Sequence, residues 1–230
     1  MAARTASRCR HRADRPVPAY RVKICGLSTA ETLDAALDAG ADLVGFVHFL
    51  NSPRHVGLEE GARLSAQVRG RSERVLLLVD PDDALLAASV AAIDPDLIQL
   101  HGGESPGRVA AIRRTSGRPV MKALGVAGPE DLSRLAAYVD AADCILLDAK
   151  PPKGATLPGG NGQAFDWDIL SGVALPAGVM LSGGLTPESV GDALRRTGVA
   201  AVDVSSGVES APGLKDPDRI RAFLAAVRNA

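Results

Sequence analysis

The sequence predicts an α/β protein folded as a single (β/α)8 TIM barrel, and three observations predict it. Short, nearly continuous apolar runs alternate eight times with stretches of helical spacing. The runs are apolar throughout, as strands of a parallel sheet covered by helices are, rather than alternating apolar and polar. No G-x-G-x-x-G follows the first run, where a doubly wound dinucleotide-binding sheet, the runner-up architecture, needs its glycines.

The elements follow in order. The first strand is read over 21–25, and its helix starts at Ser28, with Glu31 completing a capping box. Strands two and three fall at 42–47 and 74–79, and Pro81-Asp82-Asp83 opens the helix after the third. Strand four, 97–100, is followed by Ser105-Pro106, and strand five, 119–124, by Pro129-Glu130. After strand six, 143–148, comes a Gly-rich segment, 154–162, the longest irregular stretch of the main body. Loops of that kind at strand C-termini often act as lids. Strand seven, 179–182, leads to Thr186-Pro187-Glu188, and strand eight, 201–205, to Asp216-Pro217 and the last helix.

Composition narrows the function. With 46% hydrophobic and 23% charged residues and a net charge of -1, the chain shows no basic field suited to nucleic acid or an anionic membrane. A small-molecule partner is expected, for a monomer or a homodimer. The longest apolar stretches run to around ten residues, too short to span a bilayer, and no secretory signal is evident, so a cytoplasmic protein is expected. Three widely spaced cysteines, Cys9, Cys25 and Cys144, argue against a disulfide framework. Neither they nor His11, His48, His55 and His101 show metal-ligand spacing, so no metal is expected. Residues 1–19, with five arginines and one acid, read as a basic, disordered N-terminal extension to a barrel over 20–230. A transit peptide, or a start codon placed too early, has the same composition.

In such a barrel the site is built where the strands end, and period-two alternation decides which side chains face inward. Cys25 then shares a face with Lys23, Asp148 with Leu146 and Cys144, Asp203 with Ser205, and His101 with Gln99. A free cysteine is more often core than catalyst. Cys25, however, sits at the functional rim, just before Gly26, and so reads as a base; Cys144, at the other end of its strand, reads as structural. Asp148 closes an apolar run, which suits an acid that holds its proton near neutral pH. Lys150 is its alternative, merely structural partner. Gly183 and Gly184 after strand seven, with Ser205, Ser206 and Gly207 after strand eight, match the common phosphate site of this fold. Arg54, in Ser52-Pro53-Arg54 after strand two, can grip a carboxylate bidentately.

Together these segments make the chain resemble the phosphoribosylanthranilate isomerase family of tryptophan biosynthesis, from residue 21 onward. The resemblance rests on Lys23-Ile24-Cys25-Gly26, Gly45-Phe46, Ser52-Pro53-Arg54, Gln99-Leu100-His101-Gly102 and Leu147-Asp148. Gly159-Gly160-Asn161-Gly162, Phe165-Asp166-Trp167, Leu181 to Leu185 and Val202 to Glu209 complete it. It implies a cofactor-free Amadori rearrangement. Asp148 is then the general acid and Cys25 the general base. Arg54 takes the anthranilate carboxylate, Asp203 a sugar hydroxyl, and the two glycine-serine loops the phosphate, with His101 among the substrate-binding groups. Asn161 and Gln163 depart from the family's usual Gly-Gly-Thr-Gly and lysine, and His48 stands where an apolar residue is usual. A sister barrel of histidine biosynthesis implies an aspartate in place of Cys25. A non-catalytic phosphosugar-binding barrel, the alternative from another class, should have lost the acid or the base.

Overall fold

The computed structural model describes residues 20–230 apart from 69, 152, 153, 155, 156, 161 and 163; the expected N-terminal extension lies outside the described residues. Eight parallel strands close into a barrel: β1 (Arg21–Cys25), β2 (Leu43–Val47), β3 (Glu73–Leu78), β4 (Leu97–Leu100), β5 (Val120–Val126), β6 (Cys144–Ala149), β7 (Val179–Leu181) and β8 (Ala201–Val204). All eight expected strands are present, with boundaries moved by two residues at most. The barrel closes where β1 pairs with β8, Lys23 lying opposite Asp203 and Ile24 opposite Val204.

The outer layer is less regular than the sequence suggests. Helices α1 (Ala30–Asp38), α2 (Leu58–Val68), α3 (Asp83–Ile93) and α4 (Pro106–Ser116) follow the first four strands. Asp82 and Ser105 cap α3 and α4 as expected, each accepting a backbone N–H of the first turn. The cap of α1 is Thr29, not Ser28: Thr29 is the residue in extended conformation, and its hydroxyl accepts from Thr32 N–H. Pro129–Arg134 forms a 3-10 turn, followed by the single-turn α5 (Leu135–Tyr138). Among the described residues between β6 and β7 the only helical element is the 3-10 turn Trp167–Leu170, whose buried Trp167 and Leu170, with Phe165, cover the sheet where a helix was expected. Thr186-Pro187-Glu188 forms a turn before α6 (Val190–Thr197), and Asp216 caps α7 (Pro217–Arg228). An antiparallel hairpin, β9 (Glu209–Ala211) and β10 (Leu214–Lys215), follows β8 outside the barrel.

Alternation divides the strand residues between two cores. Val22, Ile24, Phe46, Leu76, Ile98, Leu100 and Leu147 face the helices. Leu43, Val75, Leu97, Met121, Ala123, Cys144, Leu146 and Met180 meet on the axis as an apolar plug in the lower barrel. Cys144 therefore takes the structural place expected of it. Lys122 points outward yet is buried. Its ammonium lies 2.5 Å from Glu104, and Glu104 also accepts from the backbone N–H of Asp80 and Gly102. This pair ties together the loops after β3 and β4. Among the described residues, no helix is long and apolar enough to cross a membrane.

Candidate active site

Above the plug the barrel opens into a cleft of about 780 Å³. Cys25, Arg54, Gln99, His101, Asp148, Asp203, Gly183, Gly184, Ser205 and Ser206 all line it, and Val47, Phe49, Leu77 and Val79 supply apolar lining. Every expected site residue except Gly207 is thus brought to one cavity. Gly207 instead packs against backbone: a Cβ there would lie 1.8 Å from the Leu185 carbonyl oxygen.

Cys25 ends β1 with only 4% of its surface exposed. Gly26 follows at φ +81°, where a Cβ would meet the Arg54 side chain at 2.7 Å, so the turn that presents the thiol also seats the arginine over it. Below the thiol, Lys23 Nζ is 2.7 Å from Asp203 Oδ1, and Ser182 Oγ donates to Asp203 Oδ2 at 3.0 Å. Burial works against the charge on Lys23, but Asp203 and Cys25 outweigh it and push its pKa up. Burial pushes the Cys25 thiol up as well, and the pull of Lys23 reduces that shift without cancelling it. Lys23 thus favours the thiolate, but by less than burial disfavours it.

Asp148 ends the inward face of β6. Its Oδ2 lies 3.2 Å from His101 Nε2, and its Oδ1 accepts from Ala149 N–H at 2.9 Å. Lys150 does not pair with it, binding Asp131 at 3.0 Å instead. His101 Nδ1 is 3.2 Å from Gln99 Nε2, while Gln99 Oε1 is buried without a hydrogen-bond partner. The loop over the acid fits closely: a Cβ on Gly159 would lie 2.5 Å from His101 Nε2 and 2.6 Å from Asp148 Oδ2. Leu157, Pro158, Gly160 and Gly162 also line the cleft, while Asn161 and Gln163 lie outside the described residues.

Arg54 is buried and bidentate to Glu209, Nε to Oε1 at 2.7 Å and Nη2 to Oε2 at 2.9 Å. Lys215 Nζ lies 2.6 Å from Glu209 Oε1 and donates to the Ser205 carbonyl and hydroxyl, and Ser205 Oγ donates to the Cys25 carbonyl. Sequence reasoning reached Glu209 only as the end of a matching segment and missed Lys215. His48 does not line the cleft. Its Nδ1 lies 2.9 Å from the Val56 carbonyl oxygen, and its ring is 5.0 Å from that of His55, beneath the loop that carries Arg54. Among the described residues, no group of three or more His, Cys, Asp or Glu is placed to hold a metal ion.

The sequence profile of the N-(5'phosphoribosyl)anthranilate (PRA) isomerase family matches residues 22–226. The chain belongs to that family. The N-(5'-phosphoribosyl)anthranilate isomerase of Azorhizobium caulinodans is 64% identical over 212 residues, covering 92% of this chain and 93% of that one. The isomerase of Rhodopseudomonas palustris is 59% identical over 207 residues, with 90% and 95% covered. Among solved structures, phosphoribosyl anthranilate isomerase from Thermotoga maritima superposes with a TM-score of 0.80 at 33% identity, covering 92% of this chain and all of that one. A phosphoribosyl anthranilate isomerase in complex with reduced 1-(o-carboxyphenylamino)-1-deoxyribulose 5-phosphate gives 0.77 at 31%, with the same coverage. With membership goes isomerase activity in tryptophan biosynthesis.

Proposed function

We propose that this cleft converts N-(5'-phosphoribosyl)anthranilate to 1-(2-carboxyphenylamino)-1-deoxyribulose 5-phosphate using only its own side chains. The observation that carries the reading is that Cys25 and Asp148, from β1 and β6, line one cavity together with Arg54 and with both glycine-serine loops. A phosphate anchored at Gly183, Gly184, Ser205 and Ser206 and a carboxylate held by Arg54 fix the two ends of one ligand. The reacting sugar carbons then lie between the base and the acid.

Carrying a proton, Asp148 delivers it to the ring oxygen as the bond from that oxygen to C1' breaks, and the amine nitrogen's lone pair forms the Schiff base. Cys25, as thiolate, removes the C2' proton, and the electron pair moves toward nitrogen to give the enolamine. Transfer of a proton from the C2' hydroxyl to C1' completes the ketone. Protons therefore balance, one given by Asp148 and one taken by Cys25. Lys23 lies beside the thiol to stabilise its ionised form, with its own charge balanced by Asp203. Asp203 already binds Lys23 and Ser182, so any sugar hydroxyl it holds shares these partners.

The loop over 154–162 acts as a lid in this reading, since Gly159 covers the acid. The protein works in the cytoplasm, as a monomer or a homodimer. The non-catalytic alternative is not favoured, because base and acid are both present.

The test is to follow the fluorescence of phosphoribosylanthranilate, generated in situ, with wild type, Cys25→Ala and Asp148→Ala. Turnover by the wild type that collapses in both variants is expected. An inert wild type that still binds phosphosugars removes the reading.

A further inference from the structure

The hairpin after β8 adds almost nothing to the core. Ser210, Ala211 and Leu214 are exposed, with Leu214 at 63%. Yet it sends two charged side chains inward, Glu209 and Lys215, with side-chain exposures of only 4% and 1%. A pair of strands that buries ions rather than apolar surface is an expensive way to stabilise a fold. Its products are the placement of Arg54 and of the Ser205 loop.

A guanidinium is a planar fork with more than one binding edge. Here the Nε/Nη2 edge of Arg54 is occupied by both oxygens of Glu209, and Nη2 also donates to the Gly160 carbonyl at 3.2 Å. Nη1 has no hydrogen-bond partner among the described residues, and Arg54 lines the cleft. Glu209 is itself held from two further sides, by Lys215 at 2.6 Å and by the Gly213 N–H at 3.2 Å. Lys215 in turn bonds the carbonyl and hydroxyl of Ser205, one of the residues expected at the phosphate.

We propose that Glu209 and Lys215 are positioning residues that make the cleft selective for a carboxylated arylamine. The hairpin holds Arg54 with its Nε/Nη2 edge satisfied and Nη1 left for the ligand, and links the guanidinium to the loop expected to grip the phosphate. This rests on the functional reading above for the place of the ligand, but not on turnover. Without Glu209, Arg54 is free to rotate or to pair elsewhere, and the cleft loses its preference for a carboxylate while keeping base, acid and phosphate loops. Without Lys215, Ser205 loses two hydrogen bonds, so ligands with and without the carboxylate weaken alike.

The experiment is calorimetric binding of two unreactive ligands to the full chain: reduced 1-(2-carboxyphenylamino)-1-deoxyribulose 5-phosphate and its phenyl counterpart lacking the carboxylate. Wild type is expected to prefer the first by about tenfold or more, the scale of one charge-assisted hydrogen bond. Glu209→Gln is expected to bring that ratio to within about threefold of unity, with the phenyl ligand bound as in wild type. Lys215→Met is expected to weaken both ligands and leave the ratio in place. Glu209→Asp, which keeps the charge but shortens the reach, is expected to fall between and serves if Glu209→Gln does not fold. A wild-type ratio in either folded Glu209 variant overturns the proposal, as does equal binding of the two ligands by wild type. A protein that shows the expected ratios but no isomerisation keeps this proposal and loses the catalytic one.

Discussion

The two halves of the barrel interior are built on opposite terms. In the lower half Leu43, Val75, Leu97, Met121, Leu146 and Met180 fill the axis with hydrocarbon. In the upper half the same inward positions, two residues further along their strands, hold Cys25, Gln99 and Asp148, with Lys23 and Asp203 beneath them. The lower half contributes by excluding water. The upper half buries charges that stay only because each has a partner: Lys23 with Asp203 and Arg54 with Glu209. One alternation pattern thus yields stability at one end of the strands and chemistry at the other.

Substitutions should separate the two. Asp148→Asn and Cys25→Ala are expected to lower kcat by a factor of about 10²–10⁴ with a melting temperature close to wild type. A loss of folding that matches the loss of rate would erase the distinction. Next in size, Leu43→Ala should remove about 2–5 kcal/mol of stability, read by urea unfolding, with kcat nearly kept. A comparable fall in kcat would show that the plug also sets catalytic geometry.

The pH dependence sharpens the contrast further. Burial raises the Cys25 thiol above its ordinary range, so the base is ionised only at more alkaline pH, and kcat/KM should climb from neutrality into the alkaline range. A flat profile would remove Cys25 as the titrating base. Glu209 behaves oppositely: burial opposes its charge, but Arg54 and Lys215 outweigh burial and hold its carboxyl below the usual glutamate range. Its contribution to stability is therefore complete above the unfolded value of about 4.3 and is lost as pH falls through the lower folded value. Acid unfolding of Glu209→Gln should accordingly be less steep in that window. Smallest of all, Arg63→Ala, which breaks an exposed pair with Glu60 on α2, should leave both unfolding and turnover unchanged.

The strands and the central pair of the candidate site were legible because they depend on local rules. Cys25 and Asp148 each end an apolar run, and period-two alternation alone turns them inward. The outer layer was less legible after β5 and β6, where buried Trp167 and Leu170 give the sheet an apolar cover without helical spacing. Ser28 and Thr29 are both competent caps, and only the backbone conformation chooses between them. The partners of Arg54 and Asp148 were illegible for a different reason. Glu209 lies 155 residues from Arg54 in the chain, and no spacing rule reaches that far. Lys150, two residues on, was the natural candidate partner for Asp148 and proved to bind Asp131.

The seam between β1 and β8 has a consequence for how the protein comes into being. Lys23 is wholly buried, and its counter-charge, Asp203, lies 180 residues later. A growing chain that has not yet released β8 cannot close over that ammonium without leaving it alone in a dry interior, so ring closure waits for β8. The base and its electrostatic support assemble in that same final event. A ribosome that stops short of residue 203 releases a chain without a Lys23–Asp203 pair, exposing apolar strand edges to chaperones and proteases rather than a half-active catalyst.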